Sequence, residues 1–256
     1  MFRRIRETYR RTEKPRDILW NRFVARPLAA LFVAALERSR VTPNQITLAS
    51  LAVFLVSAAL LVLLPGQSGL LIAVGVLQLS YVLDCVDGQL ARLRGTSSPV
   101  GAHLDFLMDE IKAFALVAAT GARLWSETGS ERFLLEATVA LGAVASGISL
   151  TTFVRRPEYG AATGQTVSQG SGDYGQGLDK GSPPAPARRS LLRRMLGAVE
   201  ALGRFLIHYP SYIVFVALAN RLDLFLHVYF AINAAYAART FLVVTWKLGG
   251  PAAPRG

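Results

Sequence analysis

The sequence predicts an all-α integral membrane protein: six transmembrane helices preceded by an N-terminal amphipathic interfacial helix. Three observations carry that expectation. Hydrophobic residues make up 52% of the 256 positions and mean hydropathy is +0.36, above the usual soluble range. Apolar runs long enough to cross a bilayer recur along the chain, as between Ile46 and Leu64. Positive charge is concentrated in the segments that would lie on one side of such spans. The formal net charge of +11 suits either a nucleic acid or an anionic membrane surface, and the apolar runs select the membrane, so no nucleic acid partner is expected. Cys85 is the single cysteine, which excludes an intramolecular disulfide and argues against a thiolate metal site.

Taken in order, residues 1–40 read as a cytoplasmic basic tail followed by the interfacial helix. No apolar core of a signal peptide follows the basic N-terminus. Within residues 18–38, Leu19, Phe23, Leu28, Leu31, Phe32 and Ala35 recur at helical spacing. Arg22, Arg26 and Pro27 interrupt the run, which favours a helix lying in the interface over a first span, with a kink at Pro27. Residues 41–248 read as the six-helix membrane domain. Thr42 is placed to cap a helix with Pro43 at its first position, leading into the first span, Ile46 to Leu64. Pro65 to Gly69 is a turn. The second span starts at Leu70 and runs on past Leu83 into Asp84, Asp87 and Arg92. A turn through Pro99 leads to a third helix from about Val100 to Leu124, then a polar loop from Glu127 to Arg132. The fourth runs from Phe133 to Val154, ending at Arg155 and Arg156. Residues 157–190, rich in Gly, Ser, Pro and Ala, read as a flexible cytoplasmic loop, in preference to a lid. The fifth span, about Leu196 to Ala219, contains Pro210 and should kink there. The sixth runs from Leu224 to Trp246, and residues 249–256 form a short tail.

With the N-terminus inside, the predicted cytoplasmic segments hold 22 basic residues, whereas the opposite face holds only Arg123, Arg132 and Arg221. The Asp84–Asp109 hairpin then opens to the cytoplasm, which places the protein in the cell membrane with its polar centre where nucleotides and Mg²⁺ are.

That hairpin carries four aspartates inside two otherwise apolar helices. Each costs roughly 2.5–3.5 kcal/mol at a helix centre on insertion scales, so a compensating partner is expected. Asp84, Asp87, Gly88 and Ala91 share one helix face, and Gly101, Asp105 and Asp109 share one on the next helix. Folded antiparallel about Thr96, the four acids fall at matching depth, roughly 14–20 Å from the turn by helical rise. Ala91 and Gly101 then face each other, leaving room above the acids. Oxygen-only ligands select Mg²⁺, Mn²⁺ or Ca²⁺ over Zn²⁺. Four carboxylates can hold two such ions, an arrangement that clamps phosphoryl oxygens, and Arg92 at the mouth can pair with a phosphate.

The pattern Asp84-x2-Asp87-Gly88-x2-Ala91-Arg92-x8-Gly101-x3-Asp105-x3-Asp109 matches, without gap or substitution, the signature of the CDP-alcohol phosphatidyltransferase (CDP-alcohol phosphotransferase) family, which the chain resembles. The six-span layout with an interfacial helix is similar too. The resemblance implies a transferase acting on substituted phosphate groups in phospholipid biosynthesis. It would move a phospho-alcohol, or phosphatidyl, group from a CDP-linked donor such as CDP-diacylglycerol to an acceptor hydroxyl, releasing CMP. Asp84, Asp87, Asp105 and Asp109 would hold metal, two Mg²⁺ or Mn²⁺ ions, and Asp109 would also be the general base. Gly88, Ala91, Arg92 and Gly101 would line the CDP site. A homodimer among membrane lipids is implied as well. Direct in-line transfer is the expected course, with a covalent route left open.

Other residues have weaker claims. Arg155 and Arg156 can bind a phosphate on the acceptor or simply anchor the chain on the cytoplasmic side. Lys112, three residues after Asp109, can tune that base, touch a substrate phosphate or form a structural ion pair. His103 and His208 read as interfacial polar residues, Ser97 and Ser98 as turn residues that can also meet a phosphate, and Arg239 as a charge facing a polar cavity or the cytoplasmic interface. Three other functions compete: transfer from a soluble CDP-alcohol to a lipid acceptor, a metal-dependent membrane prenyltransferase, and an ion transporter. A prenyltransferase should carry two separated Asp-rich motifs, and only one is present. A transporter does not explain Gly88, Ala91, Arg92 and Gly101 at these spacings.

Overall fold

The structure is a computed structural model that describes Glu7, Tyr9, Thr12, residues 20–164 and residues 208–249. Among the described residues the chain is helical, without a strand. A π-helical turn, Asn21–Ala25, leads into α1 (Arg26–Leu36). There follow α2 (Pro43–Leu63), α3 (Gly66–Arg94), α4 (Pro99–Thr128), α5 (Arg132–Val154), the short α6 (Pro157–Thr163), α7 (Tyr209–Leu218) and α8 (Leu222–Gly249). By length and apolarity α2, α3, α5 and α8 can each cross a membrane. α4 is as long, but Asp105, Asp109, Glu110 and Lys112 crowd its first half. The described part of the predicted fifth span is the ten-residue α7, and residues 196–207 lie outside the described residues.

The helix ends follow from local chemistry. Thr42 and Gln45 form a reciprocal capping box at the start of α2, with Pro43 where a missing N–H costs nothing. Gly95 ends α3 in the left-handed conformation that favours glycine, φ 65°. Ser98 caps α4 by accepting from the Gly101 amide at 3.1 Å. Pro27 stands in the first turn of α1, directly after the π-helical turn, where its missing N–H costs little. Pro210 likewise stands in the first turn of the described helix α7, and the stretch before it, on which the expected kink depends, lies outside the described residues. The predicted loop 157–190 begins later than expected, since α6 occupies Pro157–Thr163, and its remainder beyond Gly164 lies outside the described residues. The third helix also runs one turn further than predicted, to Thr128, which shortens the polar loop after it.

α2 is the wedge of the bundle. Thr47, Ser50, Phe54, Ser57 and Leu61 are buried at alternating three- and four-residue spacing, the seam of a close left-handed helix pair. Small hydroxyl residues let the backbones approach and bond across: Ser50 donates to the Ser80 carbonyl at 3.0 Å, Ser80 to the Ser50 carbonyl at 2.8 Å, and Ser57 to the Ala73 carbonyl at 2.7 Å. α2 packs along both α3 and α4, while those two arms of the predicted hairpin scarcely approach each other. α5 closes against α4 and α8, and α7 against α3 and α8. The main core unites these helices around Phe54, Leu77, Leu116, Ile213 and Phe225. A second cluster of Ala29, Val33, Ile46, Val82, Val86 and Leu90 fastens α1 to the end of α3. Arg94 completes that attachment by donating to the carbonyls of Leu36, Glu37, Ser39 and Val41.

Candidate active site

The gap between α3 and α4 is crossed by side chains. Asp84 from α3 and Asp105 and Asp109 from α4 each bring a carboxylate oxygen to within 4.8 Å of the others. Helical spacing of four puts the α4 pair on one face, and Asp84 meets it from the facing arm. Asp87, one turn nearer the mouth, is buried and turns its carboxylate toward α2. It accepts from the Thr47 hydroxyl at 2.5 Å and from the Gly88 amide. It remains within electrostatic reach of Asp84 and Asp105. Ser50 approaches Asp84 at 3.4 Å. α2 therefore supplies hydroxyls to both α3 acids.

Lys112 is buried, its side chain 3% exposed, with Nζ bonded to Asp84 and, at 3.3 Å, to Asp109. It is thus the cation that ties the two arms together at the acids. Of the two arginines on α3, Arg94 spends its guanidinium on the α1 carbonyls, while Arg92 is exposed and folds over Gly88. A side chain begun at Gly88 would lie 3.3 Å from Arg92 Nη1. At Gly101 the nearest groups are Ser98 Oγ at 3.2 Å and Asn44 Oδ1 at 3.4 Å, both measured from where a side chain would begin. No atom of Ala91 lies within 4 Å of that point, so the expected meeting of Ala91 and Gly101 is not a contact. The splay of the two arms is the reason.

The donor set fits a hard divalent cation. The oxygens of the three carboxylates, gathered within 4.8 Å of one another, are close to the spacing that a hard divalent ion's oxygen ligands take up when they close on it. Arg155, at the end of α5, reaches over the Phe106 ring, 5.2 Å from its centroid, next to Asp105 in sequence. Arg156 is exposed at the start of α6. On the α8 side, Tyr229 is buried within reach of the Asp109 charge, and Tyr236 pairs with Thr151 at 2.9 Å. His208 is bonded to Tyr81 at 2.6 Å and to Ser211. His103 donates to the Pro99 carbonyl at 2.9 Å within its own helix, Arg239 is exposed on α8, and Cys85 is half-buried.

Thr47, Ser50, Phe106 and Tyr229 escaped the sequence reading, whereas Asn44 belongs to the Thr42-Pro43-Asn44 helix start, read first as a cap and second as a neighbour of the nucleotide site. A signal existed for the first two: hydroxyls three residues apart, interrupting the apolar run of the first span.

The family described as CDP-alcohol phosphatidyltransferase matches residues 40–172 of this chain. Over 83 residues the chain is 32% identical to a bifunctional IPC transferase and DIPP synthase of Aquifex aeolicus (strain VF5). That stretch is 32% of this chain and 18% of the Aquifex protein, so the chain covers under a fifth of that relative.

Proposed function

The chain belongs to the CDP-alcohol phosphatidyltransferase family, and we propose that it transfers a phosphatidyl group from CDP-diacylglycerol to the hydroxyl of an acceptor alcohol, releasing CMP. The observation that carries this reading is the convergence of Asp84, Asp105 and Asp109 from two helix arms; a substrate slot bordered by Gly88 and Gly101 is part of the proposal.

In this reading the six-span domain of residues 41–248 sits in the cell membrane with the slot open to the cytoplasm, as a homodimer. Gly88, Ala91, Arg92 and Gly101 admit the CDP half of the donor, and the guanidinium of Arg92 meets its phosphate oxygens. Asp84, Asp87, Asp105 and Asp109 hold two Mg²⁺ or Mn²⁺ ions. Such ions neutralise the diphosphate charge that would otherwise repel an approaching oxygen. Asp109, whose side chain is one-third exposed, accepts the proton of the acceptor hydroxyl, since a neutral hydroxyl is a weak nucleophile. The new phosphorus–oxygen bond forms as the bond to the CMP oxygen breaks. Arg155 and Arg156 stand where a charged group on the acceptor can be met.

Offering the purified protein CDP-diacylglycerol with a panel of glycerol phosphate, inositol phosphate and serine should yield one new phospholipid. A product formed only when a soluble CDP-alcohol is supplied with a lipid acceptor would replace this assignment with the reverse division of substrates.

A further inference from the structure

We propose that Lys112 is a built-in cation of the aspartate cluster that orders metal loading, so that one divalent ion binds to the free protein and the second enters only with the diphosphate of the donor. The inference rests on the metal-dependent reading above and adds to it a residue that lies outside the signature.

Lys112 lies three residues beyond Asp109 on α4, and its stem is buried beside Ala113 and Leu116 of the core. Its ammonium bonds one oxygen of Asp84 and one of Asp109, a residue from each arm. With its side chain 3% exposed, that ammonium stays engaged with both carboxylates in the proposal. Any ion must therefore share those two carboxylates with it, using their remaining oxygens.

Charge then decides the order. Among the described residues, four carboxylates and one ammonium leave three negative charges at the cluster. One divalent ion reduces that to one negative charge. A second would leave the cluster net positive in a poorly solvated place, which is unfavourable until an anion joins it. The donor diphosphate is that anion. Without Lys112, two divalent ions would balance four carboxylates with no help from the donor. A lysine serving only as a structural ion pair makes a different prediction: its loss lowers stability and leaves the number of bound ions unchanged.

The test counts bound Mn²⁺ by electron paramagnetic resonance on the full chain in detergent, with and without CDP as the diphosphate probe. Wild type should bind one ion tightly without CDP and a second when CDP is added, with spin–spin broadening from the pair. Lys112→Met should bind two without CDP, the affinity for the second rising on the order of tenfold or more from removal of a neighbouring like charge. Lys112→Arg should restore the wild-type order. Two ions of equal affinity in CDP-free wild type, or an unchanged count in a folded Lys112→Met, would overturn the proposal. The wild-type measurement stands even where that variant does not fold. Absence of bound Mn²⁺ under every condition would instead overturn the metal reading on which the proposal rests.

Discussion

Thr47 shows how a single hydroxyl on a neighbouring helix governs the aspartate cluster. Its bond turns Asp87 toward α2 and away from the other three acids. Hydrogen bonds to charged groups are worth about 1.5–3 kcal/mol. Thr47→Val should therefore cost roughly tenfold in metal-dependent transfer, and Thr47→Ser should retain most of it. Equal rates in the two variants would show that Asp87 needs no such hold. Asp84→Asn should raise the Mg²⁺ or Mn²⁺ concentration needed for half-maximal rate, and an unchanged requirement would remove Asp84 from the ligand set. The aspartates were legible because their spacing puts them on helix faces. The roles of Thr47, Ser50 and Phe106 were not, because their contacts join positions some thirty to fifty residues apart, and the paired hydroxyls in the first span mark a polar face without saying what it meets.

At the scale of elements, the splay between α3 and α4 leaves the two arms joined at the acids by side chains alone. α2 holds both arms through its seam, while α4 is held from behind by α5. That second contact is tight at Gly121, where a side chain would begin 2.3 Å from the Ala137 methyl and 3.1 Å from the Phe133 carbonyl. Gly121→Leu should push the helices apart and cost about 1–3 kcal/mol or more by overpacking, read as a lowered unfolding temperature in detergent. An unchanged unfolding temperature would mean that α4 and α5 are free to separate there. Arg123, 1% exposed, steadies the other end of the bundle by donating to the carbonyls of Leu61, Leu64 and Gly66. Helix positions were readable from apolar runs and caps. The wedge role of α2 was not, because folding the sequence as a hairpin assumes that its two arms are neighbours.

For the whole molecule, the helical membrane architecture was plain from hydropathy, and four helices are long and apolar enough to span. The proposed six-span count depends in part on residues 196–207, outside the described ones, and on α4, whose charges keep it from being apolar enough to span by composition alone. The distribution of basic residues predicts a cytoplasmic slot. In a Cys85→Ala background, Ser97→Cys in the exposed α3–α4 turn should react with a membrane-impermeant maleimide from the cytoplasmic side alone. Labelling from the opposite side would invert the proposed orientation. The central claim, that the carboxylates joined across the two arms catalyse transfer from a CDP-linked donor, is tested most directly by CMP release from purified protein. Wild type should release CMP from CDP-diacylglycerol in the presence of its acceptor and Mg²⁺ or Mn²⁺. Chelation should stop the release, and Asp109→Asn should abolish it while still binding CDP. CMP release that survives both treatments, or none from any donor and acceptor, would contradict the account.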